Sequence, residues 1–113
     1  MRALLIALTA FTLLACTRQD KKAPFPVPEA KMPAVLLDVH YAEAAMQNLY
    51  GDTRDSMAEV YYDQICAIHQ IRREQLDEAM RRLRMEPDHM LAVYNRMLEL
   101  MAEREAHALN SGE

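Results

Sequence analysis

Residues 32–49, MPAVLLDVHYAEAAMQNL, carry apolar side chains at Met32, Val35, Leu36, Val39, Ala42, Met46 and Leu49. Steps of three and four put these on one face of a helix, whereas a half-buried strand would alternate at two. Pro33 is compatible because it falls in the opening turn, where backbone amides have no intrahelical partner. Gly51 is expected to end this helix, with Asp52 or Thr53 available to cap the next. Met57, Val60, Tyr61, Ile65 and Ile68 then define a second segment that runs to about Gln70. Ile71 and Leu76 have the spacing of a hydrophobic staple around a third helix beginning near Arg72, with Gln75 at its third position. Arginine is a poor N-cap, so this boundary is weakly signalled; Leu76, Ala79, Met80 and Leu83 turn inward behind it. Pro87 opens a fourth helix with Asp88 in its first turn, favourable to the dipole. Its stripe is Met90, Val93, Tyr94, Met97, Met101 and Ala108, widened by Leu91, Leu98 and Leu100, and residues 110–113 are expected to fray. Gly51 and Gly112 are the only glycines, so the reading is all-α: a small bundle of about four helices.

Upstream, one positive charge at Arg2 precedes an apolar run from Ala3, and the run closes on Leu13, Leu14, Ala15 and Cys16. These four residues spell a lipobox, in which a small residue stands before the cysteine that receives lipid. A membrane span would need about 20 apolar residues, and Thr17, Arg18, Gln19 and Asp20 interrupt the run too early. Acyl chains on Cys16 contribute roughly 0.8 kcal/mol per buried CH₂, which makes such an anchor permanent on a cellular timescale. The chain therefore divides into a cleaved signal peptide (1–15), a lipidated cysteine with an extended tether (16–28) and a helical domain (29–113). Pro24, Pro26 and Pro28 keep the tether extended. A domain of this length supports only a modest core.

The net charge is −4, and −5 once Arg2 is removed. Arg72, Arg73, Arg81, Arg82 and Arg84 are interleaved with Glu74, Asp77, Glu78 and Glu86, which reads as a solvated helix face rather than a phosphate-binding stripe. Nucleic acid is not an expected partner. With Cys16 committed to lipid, Cys66 has no partner for an internal disulfide, so it is expected to be a buried inert thiol or a point of intermolecular pairing.

The order of lipobox, Pro-rich spacer, Leu36-Leu37-Asp38-Val39-His40-Tyr41-Ala42-Glu43-Ala44, Tyr61-Tyr62, Ile71-Arg72-Arg73-Glu74-Gln75-Leu76 and Glu86-Pro87-Asp88 is similar to domain-of-unknown-function family 4296. The resemblance spans nearly all of the mature chain and implies a short helical lipoprotein of the Bacteroidetes envelope. It implies no activity. The family usually has Gly-Ile-Thr where this chain has Gln70-Ile71-Arg72, which loses a C-terminal glycine and a capping hydroxyl. Surface-exposed lipoproteins of such bacteria tend to carry an acidic run after the lipidated cysteine, and Thr17-Arg18-Gln19-Asp20-Lys21-Lys22 is not one. No Asp follows Cys16 as an inner-membrane retention signal. The expected address is the inner leaflet of the outer membrane, facing the periplasm.

Candidate chemistry is sparse. His40 and Glu43 share a helix face with Asp38 close in sequence, but there is no second His-x-x-Glu and no Gly-rich elbow. His40 is expected to be packed or hydrogen-bonded at the bundle's edge, contact with a partner is the sharper role open to Asp38, His40 and Glu43, and an enzyme is not expected. Cys66 and His69 have metal-ligand spacing, yet two ligands do not close a site, and the methionines fall on apolar stripes rather than in Met-x-Met clusters. No cofactor or metal is expected beyond the covalent lipid on Cys16. Two readings compete: a non-catalytic adaptor or interaction subunit of an envelope complex, and a small chaperone-like module that holds unfolded envelope proteins in a Met-rich apolar groove. The turn at His69–Leu76 is similar to that of periplasmic parvulin-type folding factors, which favours the second. An exposed patch at Met80, Met85, Met90, Tyr94 and Met97 would mark such a groove. A homodimer through the fourth helix is compatible with its solvated Glu99, Glu103, Arg104 and Glu105.

Overall fold

The first helix, α1 (Met32–Ala45), is apolar on more than one side: Met32, Pro33, Val35, Leu36, Leu37, Val39 and Ala42 are all buried. A helix hydrophobic round most of its surface has to be enclosed, and the computed structural model, which describes residues 23–112, encloses it. Three further helices follow, α2 (Gly51–His69), α3 (Arg73–Met85) and α4 (Pro87–Ser111), with no strand among the described residues. The architecture is a small all-α bundle. The most extensive packing joins α1 to α4, then α1 to α2, while α3 closes onto both α2 and α4. Glu43 meets Arg54 and Tyr62, and Asp38 meets His69, so α1 and α2 run antiparallel. Glu29 meets His89 and Asp38 meets Arg104, so the chain through α1 advances in the same sense as α4.

The helix boundaries follow from local chemistry. α1 stops at Ala45, six residues before Gly51, and Gly51 at φ +56 opens α2 instead of ending α1. Tyr50, extended and without a side-chain cap, stands where Asp52 or Thr53 was the expected cap; Asp52 lies in the first turn. At the other end of α2, Gln70 adopts the left-handed conformation, φ 54 and ψ 46. The Ile71 amide donates to the Cys66 carbonyl at 3.0 Å and the Gln70 amide to Ala67 at 3.4 Å, the paired bonds of a Schellman turn. Ile71 is buried in this turn and again as the staple residue before α3, so one side chain closes one helix and opens the next. Arg72 is the N-cap, as its spacing indicated. Its weakness as a cap is offset by Gln75, whose Oε1 accepts the Arg72 amide at 2.8 Å.

Two stripes differ from the sequence pattern. On α2, Ile65 and Cys66 are buried and Met57, Ala58, Tyr61 and Tyr62 pack against the core, while Val60 and Ile68 are largely exposed. The buried face is thus rotated toward Tyr62 and Cys66, because α2 meets both α1 and α3. On α4, Val93 and Met97 are buried with Met90, Leu100 and Met101 beside them, but Ala108 and every other described residue from Ala102 onward are exposed. The other helices are too short to cover the last ten residues of α4. These nevertheless stay helical to Ser111, whose hydroxyl bonds the His107 carbonyl, rather than fraying from Asn110.

The tether also needs correction over its described part. Residues 23–28 are docked onto the bundle: Val27 is fully buried, and Arg82 donates to the carbonyls of Ala23 at 2.9 Å and Pro24 at 2.8 Å. Phe25 lies between the Arg82 guanidinium, 5.2 Å from its ring centre, and the His89 ring at 4.7 Å, and Gln75 Nε2 donates to Pro26 at 2.9 Å. Alternating prolines make the segment extended, and its freed carbonyls are what α3 binds. Arg82 is therefore not part of a solvated face. The signal peptide (1–15), the lipobox and Cys16 lie outside the described residues.

Candidate functional site

Asp38 stands on α1 one turn before Ala42 and two before Ala45, a carboxylate on a face otherwise made of small apolar residues. A charge in that position requires a partner from the neighbouring helix. His69, at the last turn of α2, supplies it: Nε2 lies 2.7 Å from Asp38 Oδ2. Arg104 of α4 reaches Asp38 Oδ1 at 3.4 Å, so one carboxylate ties three helices together. Lys31 Nζ donates to the His69 carbonyl at 2.9 Å, fixing the same helix end from the backbone side. Beside this cluster, between α1 and α2, runs an open groove of about 290 Å³. Tyr41, Ala42, Ala45, Tyr61, Ile65 and Ile68 form its apolar lining, with Asp38 and Gln64 as polar members. Tyr41 is 45% and Ile68 68% exposed at its edges.

Glu43 anchors a second cluster one turn further along α1. Its Oε2 accepts from Arg54 at 2.8 Å and its Oε1 from the Tyr62 hydroxyl, and Arg54 also donates to the Met46 carbonyl at 2.8 Å. That last bond satisfies the frayed end of α1. The Arg73 guanidinium stacks 4.8 Å over the Tyr62 ring and is itself held by Glu59, Asp63 and Asp77. Burial, aided by the hydrogen bond to the Glu43 carboxylate and its charge, pushes the Tyr62 hydroxyl up to about 12.

The three residues expected to act together are thus divided. Asp38 and Glu43 turn toward α2 into separate clusters, while His40 faces outward and is exposed. Cys66 and His69 do not converge either: His69 pairs with Asp38, and Cys66 is buried in the core, where desolvation pushes its thiol up. No group of three or more His, Cys, Asp or Glu side chains able to hold a metal occurs among the described residues. Sequence did not single out Arg54; it offered Tyr62 only within the Tyr61-Tyr62 string and Arg104 only as a solvated outer position of the fourth helix, whereas Arg104 reaches Asp38. The readable signal was Asp38 itself, a charge on an apolar face; its partners, 31 and 66 residues away, are fixed only by the packing.

The methionines divide as well. Met97 is buried, Met80 and Met90 pack partly against the core, Tyr94 is 41% exposed, and Met85 stands outside at 70% exposure. The large outward apolar residues of α4 are instead Leu91, Tyr94 and Leu98, spaced three and four apart on one flank, and Leu109 near the helix end.

No curated protein matches the chain, and no solved structure does. A family model described as a domain of unknown function matches residues 26–107, taking in the docked Pro26–Pro28 segment, the first three helices and most of α4, and the chain belongs to that family, DUF4296.

Proposed function

We propose that this chain is a lipid-anchored, non-catalytic adaptor of a cell-envelope complex, held through Cys16 in the outer membrane and facing the periplasm. The lipobox at Leu13, Leu14, Ala15 and Cys16 supports the anchor. The observation that carries the adaptor reading is the use made of the polar side chains. Asp38, Glu43 and His69, the residues best suited to chemistry, are engaged in pairs between helices. What is left outward is binding surface: the Tyr41–Ile68 groove and the flank of α4 at Leu91, Tyr94 and Leu98. A chaperone would need a flexible thioether-lined groove for varied clients, and most methionines here are used in the core.

The test is in-cell crosslinking from a photoreactive residue at Tyr94 or Ile68, followed by purification from outer membranes. One partner in fixed ratio supports the adaptor. A broad, substoichiometric set of nascent envelope proteins would replace it with the chaperone reading, and a second copy of this chain with a homodimer.

A further inference from the structure

The docking of residues 23–28 shortens the connection between anchor and domain. Were the segment free to Pro28, 12 or 13 residues would separate Cys16 from the bundle, a reach of about 45 Å. Arg82 grips the chain at Ala23 and Pro24, so seven residues, 16–22, remain, and fully extended they span no more than about 25 Å. Ala23, the first described residue, lines a cleft with Glu78, Arg81, Arg82, Met85 and Glu86, where α3 passes into α4. Three features of this corner suit a headgroup layer. Met85 is exposed beyond any need of the core. Glu78 and Glu86 are each already paired, with Arg81 at 2.7 Å and Arg82 at 3.5 Å, so the two carboxylates do not repel lipid phosphate as free charges. Arg84 is exposed one residue before Met85, on the neighbouring flank of α3 with Asp77 and Met80.

We propose that the α3–α4 corner is the bilayer-facing surface of the domain, with Met85 entering the phospholipid headgroup layer and Arg84 facing lipid phosphate. The proposal rests on lipidation of Cys16. It orients the rest of the molecule: Arg104 lies 17 residues beyond Pro87, about 26 Å along α4, so the Asp38 groove and the uncovered end of α4 are carried away from the membrane.

The test uses the full acylated chain in a Cys66→Ala background, reconstituted in phosphatidylethanolamine–phosphatidylglycerol vesicles that contain a headgroup-attached quencher. An environment-sensitive dye is placed at Met85→Cys in one sample and at His107→Cys in another. Several-fold stronger quenching at 85 than at 107 is the expected result. Equal quenching, or none at 85, in protein whose mass confirms acylation of Cys16 would overturn the orientation and leave the anchor standing. An unacylated Cys16 overturns both.

Discussion

Gln70 holds a backbone conformation that L-residues adopt at a cost of roughly 1–2 kcal/mol and glycine adopts without one. Gln70→Gly is expected to raise the urea midpoint, corresponding to about 0.5–1 kcal/mol, with the slope unchanged. An unchanged or lower midpoint would mean that the turn is not under this strain. The glycine that the resemblance led one to expect at this place made the tension legible in the sequence, and the Schellman bonds hold the turn with Gln70 in it: Ile71 anchors it from the core side. Tyr62 is a second residue-scale case. Its hydroxyl is raised from 10 to about 12, chiefly by burial and then by Glu43, so the neutral form is favoured in the folded chain. The stability this contributes is complete below pH 10 and is lost as pH rises toward 12. Phenolate absorbance should show one tyrosine titrating near 12, and Glu43→Gln should bring it down only part of the way, because desolvation remains.

At the scale of elements, the junction of α2 and α3 concentrates several functions in few atoms. Gln75 accepts the Arg72 amide and donates to the Pro26 carbonyl, so Gln75→Ala removes a cap and a docking bond together. A loss of about 1–2 kcal/mol in urea unfolding is expected, with faster amide exchange at Val27. The cap was legible from its spacing; the docking bond joins residues 49 apart and was not. The face of α2 was misread for a related reason. A stripe through Val60 and Ile68 assumes one neighbouring helix, and α2 has two. In α4 the packing ends near Met101 while the helix continues. Hydrogen exchange should show protected amides around Val93 and Met97 and a steep fall from Ala102 onward. Deleting residues 105–113 should leave stability within about 0.5 kcal/mol, since the deleted segment covers no core.

For the molecule as a whole, Leu37 and Met97 are fully buried side chains of the first and last helices, the two that pack most extensively on each other. Replacing either with alanine should cost about 2–5 kcal/mol, a large share of the stability of a domain this small. An effect below 1 kcal/mol in equilibrium unfolding would show that the α1–α4 contact is not the core of the fold. Length, charge and helical periodicity disclosed the bundle because they are local quantities. The pairing of α1 with α4 is non-local and appears nowhere in the pattern. It bears on the order in which the chain is made. α1 emerges early and is apolar on several sides, yet its largest covering surface is the last helix to be synthesised. The core cannot close until α4 has arrived as far as Met101, so the earlier helices stay without their largest cover while they are made. If the chain is exported as we propose, this order suits threading through a narrow translocation channel: the fold would lock only once α4 is through.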